Sequence, residues 1–225
     1  MYPARNLGTL HHNPIQIPAL SSAKNSYSNF WLKLEVTMAI GDMLQIYDAG
    51  AKTYIWHNSL FEPRNDSSFS LGVKNEKELH EGLTKLVAAE KTFSKVLFET
   101  HGKPGMLLLG GPIPYFSFSG DPRWTDSRYD KLFPFDTKII FGGCNVAEGN
   151  EGWKFLENAG KLLLRKGGGY TIGWTSLGFH LFRHDMHFWG DWRRVNISPG
   201  GFVRDRRAKD DVVPDINRPW DNRWR

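Results

Sequence analysis

Cys144 and His101 are the residues of this chain whose types and spacing could perform nucleophilic chemistry. Cys144 is the only cysteine among 225 residues, and it follows the apolar run at 137–143. His101 follows a similar run at 95–100, and a glycine comes directly after it. A thiolate is a working nucleophile, and a neighbouring imidazole can take its proton and return it to a leaving group. The pair therefore predicts a cysteine hydrolase built on a Cys–His dyad.

The elements that must position these residues are two short strands. Both runs are rich in β-branched and aromatic residues, are too short for a helix and are closed by glycine, which is typical of buried strands. Open parallel sheets place their active sites at the carboxyl ends of the strands, where both residues would lie. Gly102, Gly142 and Gly143 stand beside them and let main-chain N–H groups turn towards a ligand, as an oxyanion hole requires.

The rest of the chain alternates strand and helix patterns, which predicts an α/β fold with a mostly parallel sheet. Asn75 is the expected N-cap of a helix that carries Glu76 and Glu78 in its first turn, where the helix dipole favours acidic residues. This helix is expected to end near residue 91. The other predicted strands lie at 43–48, at 53–56 (a second strand or a hairpin partner), at 106–111 and at 170–176. A polar loop at 62–70, a long loop at 112–131 and a helix from about 150 to the glycines at 167–169 complete the prediction.

Length and composition predict one folded domain with two less ordered ends. The chain can bury one full core, and its aromatic content of 14% argues against disorder of the whole chain. We expect a flexible N-terminal arm at 1–38, a domain at 39–203 and a charged tail at 204–225. Met38 is also a plausible start of translation.

Charge and hydropathy set expectations about partners. The net charge of +5 and the pI of about 9.3 would suit nucleic acid, but much of the excess lies between Arg193 and Arg225, where aspartates interleave. This pattern favours a solvated tail, so we expect no nucleic-acid partner. No apolar run approaches the ~20 residues of a membrane helix, and the N-terminus lacks a secretory-signal pattern. We expect a protein that is cytoplasmic or exported by a non-classical route, and no membrane partner.

The segments at 99–110 and 139–152 resemble the His-Gly and Gly-Cys blocks of caspase-like cysteine peptidases of clan CD, which also holds gingipain, clostripain, legumain and separase. The likeness is strongest to a caspase-like domain of unknown function found in large bacterial surface and repeat proteins, where a His-Gly pair, a turn and an apolar strand precede Gly-Cys-Asn-Val-Ala and a helix. It covers about residues 43–178. The resemblance implies a three-layer α/β sandwich and a cysteine endopeptidase acting on a peptide or protein substrate.

The resemblance also implies a role for each matched residue. Cys144 would attack the scissile carbonyl, and His101 would act as base and then protonate the leaving amine. The main-chain N–H groups of Gly102 and Cys144 would hold the oxyanion. A thioester acyl-enzyme of this kind requires no metal and no organic cofactor. No third residue that orients His101 can be assigned.

Substrate recognition is less well defined by the sequence. Ser176 follows the next strand, in the position where the family continues into a substrate-side loop. Arg183 is a pocket candidate because caspase-type specificity for an acidic side chain needs a basic pocket. Arg193 and Arg194 are further candidates by charge alone.

Two alternatives remain open at this point. The first is a non-catalytic caspase-like interaction module, in which His101 and Cys144 merely pack. The second is a zinc-dependent hydrolase centred on His184, because His180 and His184 would share one helix face if their segment were helical. The same segment, with Asp185 and His187, equally suits a loop that packs on the sheet, and it lacks the general-base glutamate of a metalloprotease helix.

Overall fold

The structure is a computed structural model that describes residues 43–51, 67–125, 127–182, 185–188 and 191–208. Its strands are, in chain order, β1 (Met43–Asp48), β2 (Phe69–Val73), β3 (Lys95–Glu99), β4 (His101–Lys103), β5 (Met106–Leu108), β6 (Pro112–Pro114), β7 (Thr137–Phe141), β8 (Gly169–Trp174), β9 (Gly178–Phe182), β10 (Asp185–Phe188), β11 (Trp192–Ser198) and β12 (Phe202–Ala208). Its helices are α1 (Glu76–Ala88), α2 (Ser117–Gly120), α3 (Pro122–Thr125) and α4 (Gly149–Leu163), with a 3-10 helix at Tyr129–Leu132.

A 7-stranded sheet in the order β12-β11-β8-β7-β3-β1-β2 forms the centre of the fold. The strands β1, β2, β3, β7 and β8 run parallel, whereas β11 is antiparallel to both β8 and β12. The prediction of an α/β fold with a mostly parallel sheet is therefore confirmed. Smaller sheets are formed by β4-β5-β6 and by the β9-β10 hairpin.

The long helices α1 and α4 pack on the same face of this sheet. The crossovers β2-α1-β3 and β7-α4-β8 move across the sheet in the same direction, and right-handed crossovers then place both helices on one side. Leu83 of α1 and Phe155 of α4 accordingly join one core cluster with alternate strand residues such as Phe98 and Phe141. Burial of this cluster anchors the strand ends that carry His101 and Cys144.

The other face of the sheet has its own apolar cluster, which includes Leu97, Ile140 and Trp192. It also holds a buried polar pair: the Gln45 amide donates to the Glu99 carboxylate between β1 and β3. Within the described ranges, every long helix lies on the first face. The three-layer arrangement therefore stays a prediction.

Several elements lie where the sequence predicts them. The Asn75 side chain accepts from the Glu78 N–H at 3.0 Å and caps α1, while the Glu78 carboxylate accepts from the Lys74 N–H at 2.9 Å. The strands β1, β3 and β7 match their predicted positions, and α4 begins at Gly149, beside the predicted start. Among the described residues, no helix is long and apolar enough to cross a bilayer.

Other boundaries differ from the prediction. Phe69 opens β2 inside the predicted polar loop, because this edge strand is short and alternates with serine and glycine. The sheet continues past residue 203, since β12 runs to Ala208 with charged side chains that resemble a tail. The predicted loop at 112–131 contains β6, α2, α3 and part of the 3-10 helix. The arm at 1–38, the strand at 53–56 and the tail at 209–225 lie outside the described residues.

Candidate active site

The strands β3 and β7 are neighbours in the sheet and bring the ends of the two predicted catalytic segments together. Phe98 is the register partner of Phe141 in this parallel pair. His101 follows Phe98 at the same interval as Cys144 follows Phe141, so the two residues leave the sheet at the same level. The Gly142 N–H donates to the Phe98 carbonyl at 2.7 Å and continues the pairing beyond the strands.

The main chain at Gly102 lies directly against the main chain at Gly143 and Cys144. A Cβ on Gly102 would lie 2.7 Å from the Cys144 carbonyl oxygen and 2.8 Å from the Gly143 carbonyl carbon. A Cβ on Gly143 would in turn lie 3.0 Å from the Gly102 Cα and 3.2 Å from the His101 carbonyl oxygen. Main-chain atoms cannot rotate away as a flexible side chain can. Position 102 must therefore be glycine for the segment after β3 and the segment after β7 to approach this closely.

The register of the small sheet directs the Gly102 N–H away from its hairpin. Leu107 of β5 pairs with Gly102 on one side and with Ile113 on the other. The residues flanking Ile113 are both proline, which cannot donate a ladder bond, so Leu107 and Ile113 form the hydrogen-bonded pair. Bonded and non-bonded pairs alternate in antiparallel sheets. The Gly102 N–H consequently points away from β5 and takes no part in the hairpin ladder.

The turn that follows Cys144 is held from two sides. Asn145 adopts a φ of 55°, in the left-handed region that asparagine tolerates better than most residues. Its N–H donates to the Ser176 carbonyl at 2.8 Å, just beyond β8. From the other side, the Gly105 N–H of the β4-β5 turn donates to the Val146 carbonyl at 3.1 Å. The turn is thus fixed between β8 and the hairpin that begins at His101.

The two residues of the predicted dyad differ in their exposure. His101 is exposed, Cys144 is partly buried, and its thiol forms no disulfide. Ser176 is partly buried, and its carbonyl accepts the bond from the Asn145 N–H in the turn after Cys144. Leu177 follows it with 65% of its surface exposed, an apolar side chain that the sequence analysis did not select.

Two members of the predicted histidine cluster, His180 and His187, lie in strands and not in a helix. His180 lies in β9 and His187 in β10, so the two residues belong to an antiparallel hairpin. The zinc alternative assumed that His180 and His184 share one face of a helix, and this assumption is wrong because His180 lies in a strand. Arg183 and His184 lie outside the described residues. In the part of the chain that the structure describes, no group of three or more His, Cys, Asp or Glu residues could hold a metal ion.

The arginines chosen by charge have other roles in the structure. Arg193 donates from Nη1 to the Ala147 carbonyl at 2.9 Å and to the Gly149 carbonyl at 2.5 Å. Arg194 lies over the Tyr170 ring, 4.5 Å from its centroid. Burial lowers the pKa of both guanidinium groups. Arg193 thus contacts the main chain beside Cys144, a role that sequence reasoning missed because the bonds go to backbone atoms distant in sequence.

A second candidate region lies along α1 and was also missed by sequence reasoning. A groove of about 430 Å³ is lined by Lys77, His80, Glu81, Thr84, Lys85 and Arg123. His80 is buried there, and its Nδ1 lies 2.8 Å from the Tyr129 hydroxyl. The groove holds cationic, acidic and hydroxyl groups but no thiol, so it lacks the nucleophile of the strand-end site.

The chain matches no protein-family model, no curated protein and no solved structure. The geometry of the site must therefore carry the functional argument by itself. Its main parts are a thiol and an imidazole on segments in main-chain contact, together with a glycine N–H that points away from the neighbouring hairpin strand.

Proposed function

We propose that this protein is a cysteine endopeptidase or a related amide hydrolase, with Cys144 as nucleophile and His101 as general base and acid. The observation that carries the proposal is the contact between Gly102 and the Gly143–Cys144 main chain at the carboxyl ends of two adjacent parallel strands. This contact fixes the relative position of the dyad segments without requiring any side chain between them. Catalytic groups need such fixed placement, because small displacements cost large factors in rate.

The proposed reaction has two halves. The Cys144 thiol gives its proton to His101, and the sulfur forms a bond to the scissile carbonyl carbon. The carbonyl oxygen becomes an oxyanion that accepts hydrogen bonds from the N–H groups of Gly102 and Cys144. The C–N bond then breaks, the amine leaves with the proton held by His101, and a thioester remains. Water attacks this thioester with His101 again as base, which releases a carboxylic acid and restores the thiol.

The finer description of the fold belongs to the same proposal. We propose a three-layer, caspase-like sandwich around the central sheet. The strand order supports this, because the chain moves from β1 to β2 in one direction and then from β2 to β3, β7 and β8 in the other. Such a reversal is typical of doubly wound sheets, which bind their ligands at the carboxyl ends of the strands.

The proposal is tested by the reactivity of the single thiol. Intact-mass measurement of alkylation by iodoacetamide reads Cys144 alone, because the chain has no other cysteine. We expect fast alkylation near neutral pH in the folded protein, and a loss of about 100-fold in His101→Ala, since the imidazole no longer accepts the thiol proton. His80→Ala is the matched control, because His80 is the buried histidine of α1 and should leave the rate unchanged.

Cleavage of a diverse peptide library completes the test. The wild-type protein should cleave a subset of peptides, and both Cys144→Ala and His101→Ala should abolish cleavage while retaining the folded state by circular dichroism. Unchanged cleavage by Cys144→Ala would exclude this mechanism. Equal alkylation rates in wild type and His101→Ala between about pH 5 and pH 9 would instead favour the non-catalytic interaction module.

A further inference from the structure

Arg193 links β11 to the segment that connects Cys144 with α4. Its guanidinium donates to the carbonyls of Ala147 and Gly149, on either side of the α4 N-cap Glu148. The same guanidinium lies over the Trp153 ring, 4.9 Å from the centroid. Both bonds come from the single Nη1 amino group, whose two N–H bonds can serve two carbonyl acceptors at once.

Ala147 is the point where these constraints meet. It is fully buried, its N–H donates to the Trp174 carbonyl at 2.9 Å, and its carbonyl accepts from Arg193. Gly152 in the first turn of α4 packs so closely that a Cβ there would lie 2.0 Å from the Ala147 carbonyl carbon. Without Arg193, a buried carbonyl would lose its charged donor, and this end of the Cys144 turn would lose its connection to β11.

The position of this cation is unfavourable for α4 itself. The N-terminus of a helix carries a partial positive charge, so a nearby guanidinium is repelled. Burial lowers the pKa of Arg193, while the carboxylates of Glu148 and Asp191 act in the opposite direction. An unfavourable local placement of this kind is expected where a residue serves a functional site rather than the stability of the neighbouring helix.

We propose that Arg193 is a positioning residue, which holds the turn after Cys144 so that the thiol stays in reach of His101. This inference rests on the proposed function. In this assignment Arg193 is not a catalytic residue and acts through the main chain of Ala147.

The test compares Arg193→Met and Arg193→Lys with the matched control Arg206→Met. Arg206 lies over the same Trp153 ring at 5.7 Å and pairs with Glu157, but it has no bond to Ala147 or Gly149 among those the structure shows. Iodoacetamide alkylation of Cys144 is followed as a function of pH, and urea denaturation gives the stability of each variant. We expect Arg193→Met to slow alkylation about tenfold at neutral pH and to move the rise of the alkylation rate to higher pH. The reason is that a displacement of ~1 Å between reacting groups can cost about 100-fold in rate.

Arg193→Lys should restore part of the rate, because lysine keeps the charge and can reach one carbonyl. It also serves as the test variant if Arg193→Met does not fold. Arg206→Met should lose stability with no change in the alkylation profile. An unchanged or faster alkylation rate in the folded Arg193 variants, while His101→Ala remains slow, would overturn the role of Arg193 and leave the dyad standing. Fast alkylation in His101→Ala would overturn the dyad itself.

Discussion

The two histidines His101 and His80 have opposite surroundings, and their contrast identifies what makes a site in this molecule. His101 is exposed at the start of β4, just beyond β3 and beside main-chain atoms of the Cys144 segment. His80 is buried on α1, in edge contact with the Trp124 ring at 4.6 Å and stacked on Tyr129 at 5.7 Å. The first histidine is placed by backbone contacts and the second by side chains.

The surroundings of His80 have several features that are commonly associated with functional sites. Burial lowers its pKa, a groove of about 430 Å³ lies beside it, and its Nε2 lies 3.7 Å from the Glu76 carboxylate. Yet Glu76 also accepts from Trp124 and pairs with Arg123, so the group ties α1 to α3. A perturbed pKa is a sign of function only in combination with suitable chemistry. Here burial of His80 within the packing of α1 against α3 is sufficient to explain its lowered pKa, without a functional role.

Among the variants that distinguish the His101 region from the His80 region, Gly102→Ala is expected to have the largest effect on stability. The new methyl group would meet main-chain atoms of Gly143 and Cys144, so the β3 and β7 ends must separate. We expect a loss of about 3 kcal/mol in the free energy of unfolding, together with a strong loss of Cys144 reactivity. Urea denaturation and alkylation measure the two effects. Gly111→Ala is the matched control, because a Cβ there meets nothing within 4 Å; equal stability of the two variants would contradict the close approach.

A smaller effect is expected from the two histidine variants, and each variant should affect a different assay. His80→Ala removes a buried ring from contact with Trp124 and Tyr129, so we expect a loss of about 2 kcal/mol in stability. His101→Ala alters an exposed side chain and should change stability by less than about 0.5 kcal/mol, while it slows alkylation. Thermal or urea unfolding of both proteins is the measurement. Comparable losses of stability in the two variants would remove the distinction between them.

The smallest effect is expected from pH. The folded-state pKa of His80 lies below its ordinary value of 6.5, mainly because of burial, with Glu76 opposing this and Arg123 adding to it. The unfolded chain therefore binds more protons below about pH 6.5, and stability should fall as the pH decreases through this range. Urea titrations at several pH values measure the slope. His80→Ala should flatten it, whereas the same slope in that variant would assign the effect to another group.

The elements around the site were predictable because their sequences follow local rules. The runs that became β3 and β7 are apolar and closed by glycine, and Asn75 with Glu78 gave the start of α1. The sheet edges were predicted poorly. The β12 strand lies at the edge of the described sheet and carries four consecutive charged residues at 204–207, so its sequence has no apolar period that would separate it from a solvated tail.

The contacts that define the candidate site could be predicted only in part. The placement of His101 and Cys144 at strand ends follows from sequence pattern, but the approach of Gly102 to Gly143 depends on which strands become neighbours. The bonds from Arg193 to main-chain carbonyls leave no trace in residue types, because every residue offers a carbonyl. Charge alone therefore assigned Arg193 to a substrate pocket.

His101 and Cys144 also belong to a single closed circuit of covalent and hydrogen bonds. The circuit runs through the β4-β5 turn and is closed by the bond from Gly105 to Val146 at one end and by the bond from Gly142 to Phe98 at the other. All four atoms that close it are main-chain atoms. Side chains outside the closely packed glycines such as Gly102 can therefore be replaced without removing these bonds, unless proline removes a donor. Neighbouring side chains can consequently diverge widely in evolution or be redesigned for new substrates, while the spacing between the imidazole and thiol segments persists.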